Sequence, residues 1–266
     1  MRIGIVGCAG RMGRMLVLTV LETPGAELAG GLETPGHPLL GHDVGTSAGG
    51  RSCGLSITDD ATQLFASADT VIDFSTPGAL IEHAALAGTH GTAMVVGTTG
   101  LTGEHTAALR QAAAKVAVVH APNMSVGVNL LLGLTRQLAA ILGNDYDIEI
   151  VEMHHRHKVD APSGTALALG EAAAAGRGVT LGDVAVLSRE GHTGARPPGA
   201  IGFATLRGGD VVGEHTVMFA AEGESIALTH KATSRAVFAK GAVRAALWTK
   251  DRPPGLYGMH DVLGLG

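Results

Sequence analysis

Aromatic, charged and cysteine residues are all scarce in this chain. Phe, Trp and Tyr make up 3% of its 266 residues, too few for the stacking platforms that hold single-stranded nucleic acid. Charged residues are 16%, with 19 Lys and Arg against 24 Asp and Glu, for a net charge of -5. Such a mildly acidic chain lacks the cationic surface that neutralises nucleic-acid phosphates. Two cysteines, Cys8 and Cys53, exclude a disulfide framework and a four-thiolate zinc site. They suit a reducing, cytoplasmic location. No apolar run approaches about 18 residues, so no membrane span is expected. The apolar run behind Met1 is too short for a secretory leader.

Apolar residues, at 45%, suffice for a substantial core. At roughly 100–200 residues per domain, the length suggests one large domain or two modest ones. Glycine numbers 40, about twice the usual share of roughly 7%. That excess reflects either a compositional bias or many tight turns around ligands, and the positions decide between them.

Arg2–Val6 reads as a buried parallel strand, and Gly7, Gly10 and Gly13 follow at three-residue spacing. Met12, Met15, Leu16, Thr19 and Val20 then repeat as one face of a helix. Gly7 permits a sharp turn, Gly10 a close approach to a pyrophosphate, and Gly13 tight helix–strand packing. The helix start offers N–H groups to the phosphates. The segment 26–33 reads as a second strand ending in Glu33, about 20 residues after the last glycine, where an acid can accept from ribose hydroxyls. The pattern predicts a dinucleotide site; the other reading is a glycine-rich turn in some other α/β protein. Glu33 would repel a 2′-phosphate, which favours NADH. Arg11 and Arg14 could offset a third phosphate, so NADPH stays open.

Strand-like segments 68–74, 92–96 and 116–119 alternate with helical ones at 80–86 and 103–115, the pattern of a doubly wound parallel sheet. Ligands in such sheets sit beyond the carboxyl ends of the strands. Gly97, Thr98 and Thr99, and Ala121, Pro122, Asn123 and Met124, occupy such ends. They are candidates to line the nicotinamide half of the cofactor, or are ordinary loops. The Gly- and Pro-rich segment 34–54 reads as an exposed, mobile loop.

The densest polar cluster, His154 to Thr165, lies where a strand-like segment (147–153) meets a helical one (166–172). His154, His155 and His157 could bind a metal, although Arg156 and Lys158 in the same run oppose a divalent ion. The run could also be a plain solvated loop. A third reading accounts for every residue type present: histidine supplies a proton near neutral pH, lysine and histidine neutralise a carboxylate, and Pro162-Ser163-Gly164-Thr165 starts a helix that binds a second one.

The run HHRHKVDAPSGTA resembles the signature of the dihydrodipicolinate reductases, also called 4-hydroxy-tetrahydrodipicolinate reductases. GCAGRMGR at 7–14, VIDFSTP at 71–77, VVGTTGL at 95–101, PNMSVGVN at 122–129 and IGFATLRGGDVVGEHTVMF at 201–219 also resemble family segments, in family order. The resemblance spans nearly the whole chain. It implies reduction of 4-hydroxy-tetrahydrodipicolinate, a cyclic dicarboxylate, by NADH or NADPH in the diaminopimelate route to lysine. It implies His154 as catalytic acid/base, Lys158 as proton donor, His155 as a substrate contact, and Gly164 and Thr165 as the substrate carboxylate pair, with no metal. Gly7, Cys8, Ala9, Gly10, Arg11 and Met12, with Glu33, Gly97–Thr99 and Ala121–Met124, match the family's cofactor contacts. Thr34 departs from the arginine often found after the ribose-binding acid, which speaks against a strong NADPH preference.

The segments 200–206, 213–219 and 225–230 read as strands separated by glycine-rich turns, hence hairpins in an open sheet, and the segment from Arg235 reads as a helix. The expected fold is α/β: an N-terminal Rossmann-like doubly wound sheet, plus a C-terminal α+β substrate and oligomerisation domain with an open mixed sheet. By resemblance, 1–125 and 235–266 form the dinucleotide-binding domain and 126–234 the substrate-binding domain. The resemblance further implies a homotetramer, and closure of the domains upon both ligands. Two rival readings are another nicotinamide-dependent reductase, acting on an amino acid or imine, and a non-enzymatic dinucleotide sensor. Neither gives a reason for His154, His155 and Lys158 beside Ser163-Gly164-Thr165.

Overall fold

The computed structural model describes residues 1–265. In chain order the elements begin with β1 (Arg2–Val6), α1 (Arg11–Glu22), β2 (Glu27–Leu32), α2 (Val44–Ser47), β3 (Ile57–Thr58) and α3 (Ala61–Ser67). Next come β4 (Thr70–Asp73), α4 (Pro77–His90), β5 (Ala93–Val96), α5 (Gly103–Ala113) and β6 (Ala117–His120). Then follow α6 (Val126–Leu142), β7 (Asp147–His154), α7 (Gly164–Arg177), α8 (Leu181–Val184) and β8 (Ala185–Val186). The chain continues through β9 (Ile201–Arg207), β10 (Gly213–Ala221), β11 (Glu224–Ala232), α9 (Ala236–Trp248), β12 (Gly255–Tyr257) and α10 (Met259–Leu263). Two compact units result: Met1–Val126 with Ala236–Gly266, and Gly127–Arg235. No helix among the described residues is long and apolar enough to cross a membrane.

The first unit holds a seven-stranded sheet in the order β12-β6-β5-β4-β1-β2-β3, parallel throughout. Its strands read as apolar runs because both faces are covered. Ile3, Ile5, Ile72, Val95 and Val119 pack with Leu16, Val17 and Val20 of α1 and Ala242 and Val243 of α9. Val6, Val71, Met94, Val96 and Val118 face the other way, onto Leu64 and Phe65 of α3, Leu80 and Ala84 of α4, and Leu109 of α5. Each fully buried Leu or Ile contributes about 1.5–3 kcal/mol. From β1 the chain winds outward through β2 and β3, then restarts on the other side with β4. The winding direction therefore reverses between β1 and β4, the place beyond the carboxyl ends of the strands where open sheets of this kind take their ligands.

The second unit holds a mixed five-stranded sheet, β11-β10-β7-β9-β8. β7 runs parallel to β9 and antiparallel to β10, and β10 and β11 form a hairpin around Glu222-Gly223. Every second residue of β7 (Ile148, Ile150, Glu152 and His154) is buried. Ile148, Ile150, Phe203, Val217 and Phe219 pack on Ala166, Leu169 and Ala173 of α7. A side chain at Gly176 would strike the Arg136 carbonyl of α6, so glycine lets these helices close together.

Two expectations need correction, and one strand went unread. The turn at Arg207–Asp210 does not close a hairpin: β9 and β10 lie on opposite sides of β7, which pairs with both. The segment 34–54 is not a plain exposed loop. It contains α2, with Val44 and Gly45 buried, and the Asp43 carboxylate accepts from the N–H groups of Thr46, Cys53 and Gly54 and from the Ser52 hydroxyl. The chain beyond α9 also adds β12 to the first sheet beside β6, a strand too short to stand out as a pattern.

Candidate active site

The glycine turn follows β1 directly. Gly7 has φ +69°, and both its N–H and that of Cys8 donate to the Leu32 carbonyl, at 2.9 and 3.2 Å, so the turn is pinned to the end of β2. The Gly10 N–H donates to the Gly7 carbonyl at 3.0 Å. A side chain at Gly13 would overlap the Gly7 carbonyl, so only glycine lets α1 start this close to β1. No side chain caps α1 at Gly10, which leaves its first N–H groups and positive dipole end to an anion. Glu33 is half-buried at the end of β2; its Oε1 accepts from the Ala9 N–H at 2.9 Å. Arg11 is exposed, whereas Arg14 Nε donates to the Ala9 carbonyl at 2.9 Å. The Cys8 thiol is buried under the turn; burial first, and then the Glu33 charge, push its pKa up to about 12.

Beyond β4, β5 and β6 lie Ser75, Gly97–Thr99 and Ala121–Met124, in the same row as the glycine turn. Gly97 packs against the Phe74 ring, which a Cβ would penetrate. Thr98 and Met124 are buried, Pro122 and Thr99 are exposed, and Asn123 Oδ1 accepts from the Ser125 N–H at 2.9 Å. A cavity of about 460 Å³ opens at the other end of this sheet, lined by Met1, Asp69, Lys115, Lys250 and Arg252 among others. None of the expected site residues lines it.

In the second unit, the buried stripe of β7 changes from apolar to polar at its carboxyl end. The register sets Arg207 of β9 beside His154, and His215 of β10 opposite Glu152. Arg207 donates to Glu152 through Nη1 at 2.8 Å and Nη2 at 3.0 Å. The Ser163 N–H donates to Glu152 Oε1 at 3.0 Å, and His154 Nδ1 lies 2.6 Å from Oε2. Arg207 Nη2 also donates to the Asp160 carbonyl at 2.6 Å, tying the signature loop to the sheet. Burial raises the Glu152 pKa, but the bonds from Arg207, His154 and Ser163 outweigh it, and the carboxyl lies below its usual range. His154 is held below the ordinary histidine value, chiefly by burial and further by Lys158 and Arg207, with Glu152 opposing.

Lys158 Nζ pairs with Asp160 Oδ1 at 2.8 Å. Ser163 caps α7, its Oγ accepting from the Ala166 N–H at 3.2 Å, and Gly164 and Thr165 form the first turn. The same Oγ lies 3.1 Å from His215 Nε2, and the His215 ring meets His154 edge-on at 5.0 Å. Burial first, then the neighbouring His154, hold His215 down at about 4, neutral at ordinary pH. The His155 ring lies 6.3 Å from that of His157, and its Nδ1 is buried with no hydrogen-bond partner among the described residues. His154, Lys158 and the start of α7 thus converge. Among the described residues, no three His, Cys, Asp or Glu side chains are grouped to hold a metal ion.

Residues 1–124 match the model of the dihydrodipicolinate reductase N-terminus, and 127–263 that of its C-terminus. The chain belongs to the dihydrodipicolinate reductase family. It is 57% identical to the 4-hydroxy-tetrahydrodipicolinate reductase of Ruegeria pomeroyi over 98% of this chain and 97% of that one. It is 55% identical to the enzyme of the same name from Dinoroseobacter shibae, with the same coverage. A solved dipicolinate-bound dihydrodipicolinate reductase from Paenisporosarcina sp. TG-14 superposes with a TM-score of 0.79 at 25% identity, over 98% of both chains.

Sequence reasoning missed Glu152, Arg207, His215 and the buried Asp73. One signal for Glu152 was available: a carboxylate in step with Ile148 and Ile150 on a strand demands a buried cation or donor. Nothing local marks Arg207, whose partner is 55 residues away.

Proposed function

We infer that this reductase-family chain converts 4-hydroxy-tetrahydrodipicolinate to tetrahydrodipicolinate with NADH or NADPH, in the diaminopimelate route to lysine. The observation that carries this is the gathering of His154, Lys158 and the start of α7 at one end of β7, in a chain that matches the family along its length. The glycine turn suits a dinucleotide, because Gly13 admits no side chain and α1 starts without a cap. Gly7, Cys8, Ala9, Gly10, Arg11 and Met12 would hold the pyrophosphate, Glu33 the adenosine ribose, and Gly97–Thr99 with Ala121–Met124 the nicotinamide half. When bound, the nicotinamide supplies the hydride.

The protein's own part is alignment, charge and a proton. Gly164 and Thr165, at the start of α7, would receive one substrate carboxylate on the helix dipole. His155 and Lys158 would meet the dicarboxylate's charge. Hydride addition leaves electron density on the conjugated ring; His154 and Lys158 would protonate it, a contribution of about 10²–10⁴-fold. Reacting atoms must come within about 3–3.5 Å for the hydride to pass.

A homotetramer in the cytoplasm completes the reading. Helices α6 and α7 serve one face of the five-stranded sheet. The alternate residues, including Val151, Met153, Leu206 and Met218, remain partly or largely exposed. These side chains lie among polar ones such as the Glu214–Lys231 pair, a mixed face that would suit association between copies, and light scattering of the purified chain measures it. NADH consumption with the product of the preceding synthase tests the activity. A chain that binds NADH but consumes none with this substrate refutes the assignment.

A further inference from the structure

We propose that Glu152 is a positioning residue for His154: it captures the imidazole Nδ1–H and leaves Nε2, beside Gly213, as the atom that gives and regains the proton. The proposal rests on His154 being the acid of the reaction inferred above.

The geometry dictates the tautomer. Glu152 is 1% exposed, and Arg207 addresses both of its oxygens. An ionised carboxylate only accepts hydrogen bonds and has about four sites for them. Two Arg207 nitrogens, the Ser163 N–H and His154 Nδ1 supply four partners. His154 Nδ1, at 2.6 Å, must therefore donate. In the neutral ring the proton then resides on Nδ1, and Nε2 is the base.

Nε2 is left accessible by the strand opposite. Glu214 pairs with Met153, so Gly213 falls beside His154. A Cβ there would lie 3.0 Å from Nε2. None of the hydrogen bonds described for His154 engages Nε2. The charged and titratable groups around the ring are Glu152 on β7, Arg207 on β9, His215 on β10 and Lys158 in the following loop. Glu152 alone favours the imidazolium. In the step itself the Nε2–H bond of the imidazolium breaks, its electron pair stays on Nε2, and the proton passes to the reduced ring. Neutral Nδ1–H imidazole remains, and solvent reprotonates it.

The test has two arms. In ¹⁵N-histidine spectra of the unliganded chain, with His154→Gln to assign the signal, neutral His154 should be the Nδ1–H tautomer; an Nε2–H tautomer overturns the proposal. In kinetics, Glu152→Gln should lower kcat about 10–100-fold with KM within about twofold, and move the limb reporting the acid about one unit lower in pH. Glu152→Asp should recover part of the loss. An unchanged kcat and limb overturns the proposal. If Glu152→Gln unfolds, the spectrum of the unsubstituted chain decides alone. That spectrum needs no substrate, so an inactive native chain counts against the assigned reaction and not against the Glu152–His154 relation.

Discussion

His83 Nδ1 lies 2.7 Å from Asp73 Oδ2, in a pair sealed at the carboxyl end of β4, where Asp73 has no exposed surface. The other carboxylate oxygen accepts from the Ser75 N–H at 2.9 Å and the Ser75 hydroxyl at 2.6 Å. Burial pushes the Asp73 pKa up, but the bond and charge of His83 and the Ser75 bonds outweigh it, leaving the group below the usual carboxylate range. A folded pKa below the unfolded one stabilises the protein above about pH 4, and the gain is lost as pH falls through the folded value. Asp73→Asn should therefore flatten the acid side of the stability profile and cost about 3 kcal/mol at neutral pH. Urea titrations from acid to neutral pH read both effects; superimposable profiles would contradict the role.

His154→Gln should lower turnover by about 10²–10⁴-fold and leave NADH affinity nearly unchanged, because the glycine turn lies in the other unit. In the native enzyme, turnover should fall as pH rises through the depressed His154 pKa, since only the imidazolium can donate. A pH-independent rate across that window would remove His154 from the protonation step.

Gly213→Ala probes the space beside Nε2. The added methyl would lie 3.0 Å from His154 Nε2, 3.3 Å from Cδ2 and 3.6 Å from His215 Cε1. Overpacking of this kind costs about 1–3 kcal/mol, and displacing the ring by a fraction of an ångström should cost up to about 10²-fold in kcat. Wild-type turnover in this variant would mean that Nε2 does not act from this position.

Cys8 should resist alkylation. It is buried, with its pKa pushed up to about 12, whereas Cys53 is half-buried, and the thiolate is the reactive form. Iodoacetamide on the native chain, followed by peptide mass spectrometry, should modify Cys53 well before Cys8, and both together only after unfolding. Early modification of Cys8 would show that the turn opens.

Legibility in the sequence follows the range of the interactions. β1, the glycine turn and α1 are readable because each depends on neighbours within about a dozen residues: an apolar run, three glycines, a helical stripe. The mid-chain signature was equally visible, and its residues do gather where β7 meets α7. The strand order of the second sheet was not. Two strands joined by the glycine-rich turn at 207–210 look like a hairpin, yet β7, some 50 residues earlier, takes the place between them. The buried Val44 in a segment of Gly, Pro and polar residues was hidden for a similar reason, since Asp43 organises that segment through partners up to 11 residues away.

The order of residues along the chain was enough to determine the α/β class of the first unit, the glycine turn between β1 and α1, and the histidine-lysine signature proposed to carry the chemistry, because local backbone geometry and side-chain type settle those. Which nitrogen of His154 is taken up by Glu152 depended on strand register. Only folding brings the Arg207 guanidinium onto Glu152 and a glycine opposite His154, and a carboxylate's lack of hydrogen-bond donors does the rest.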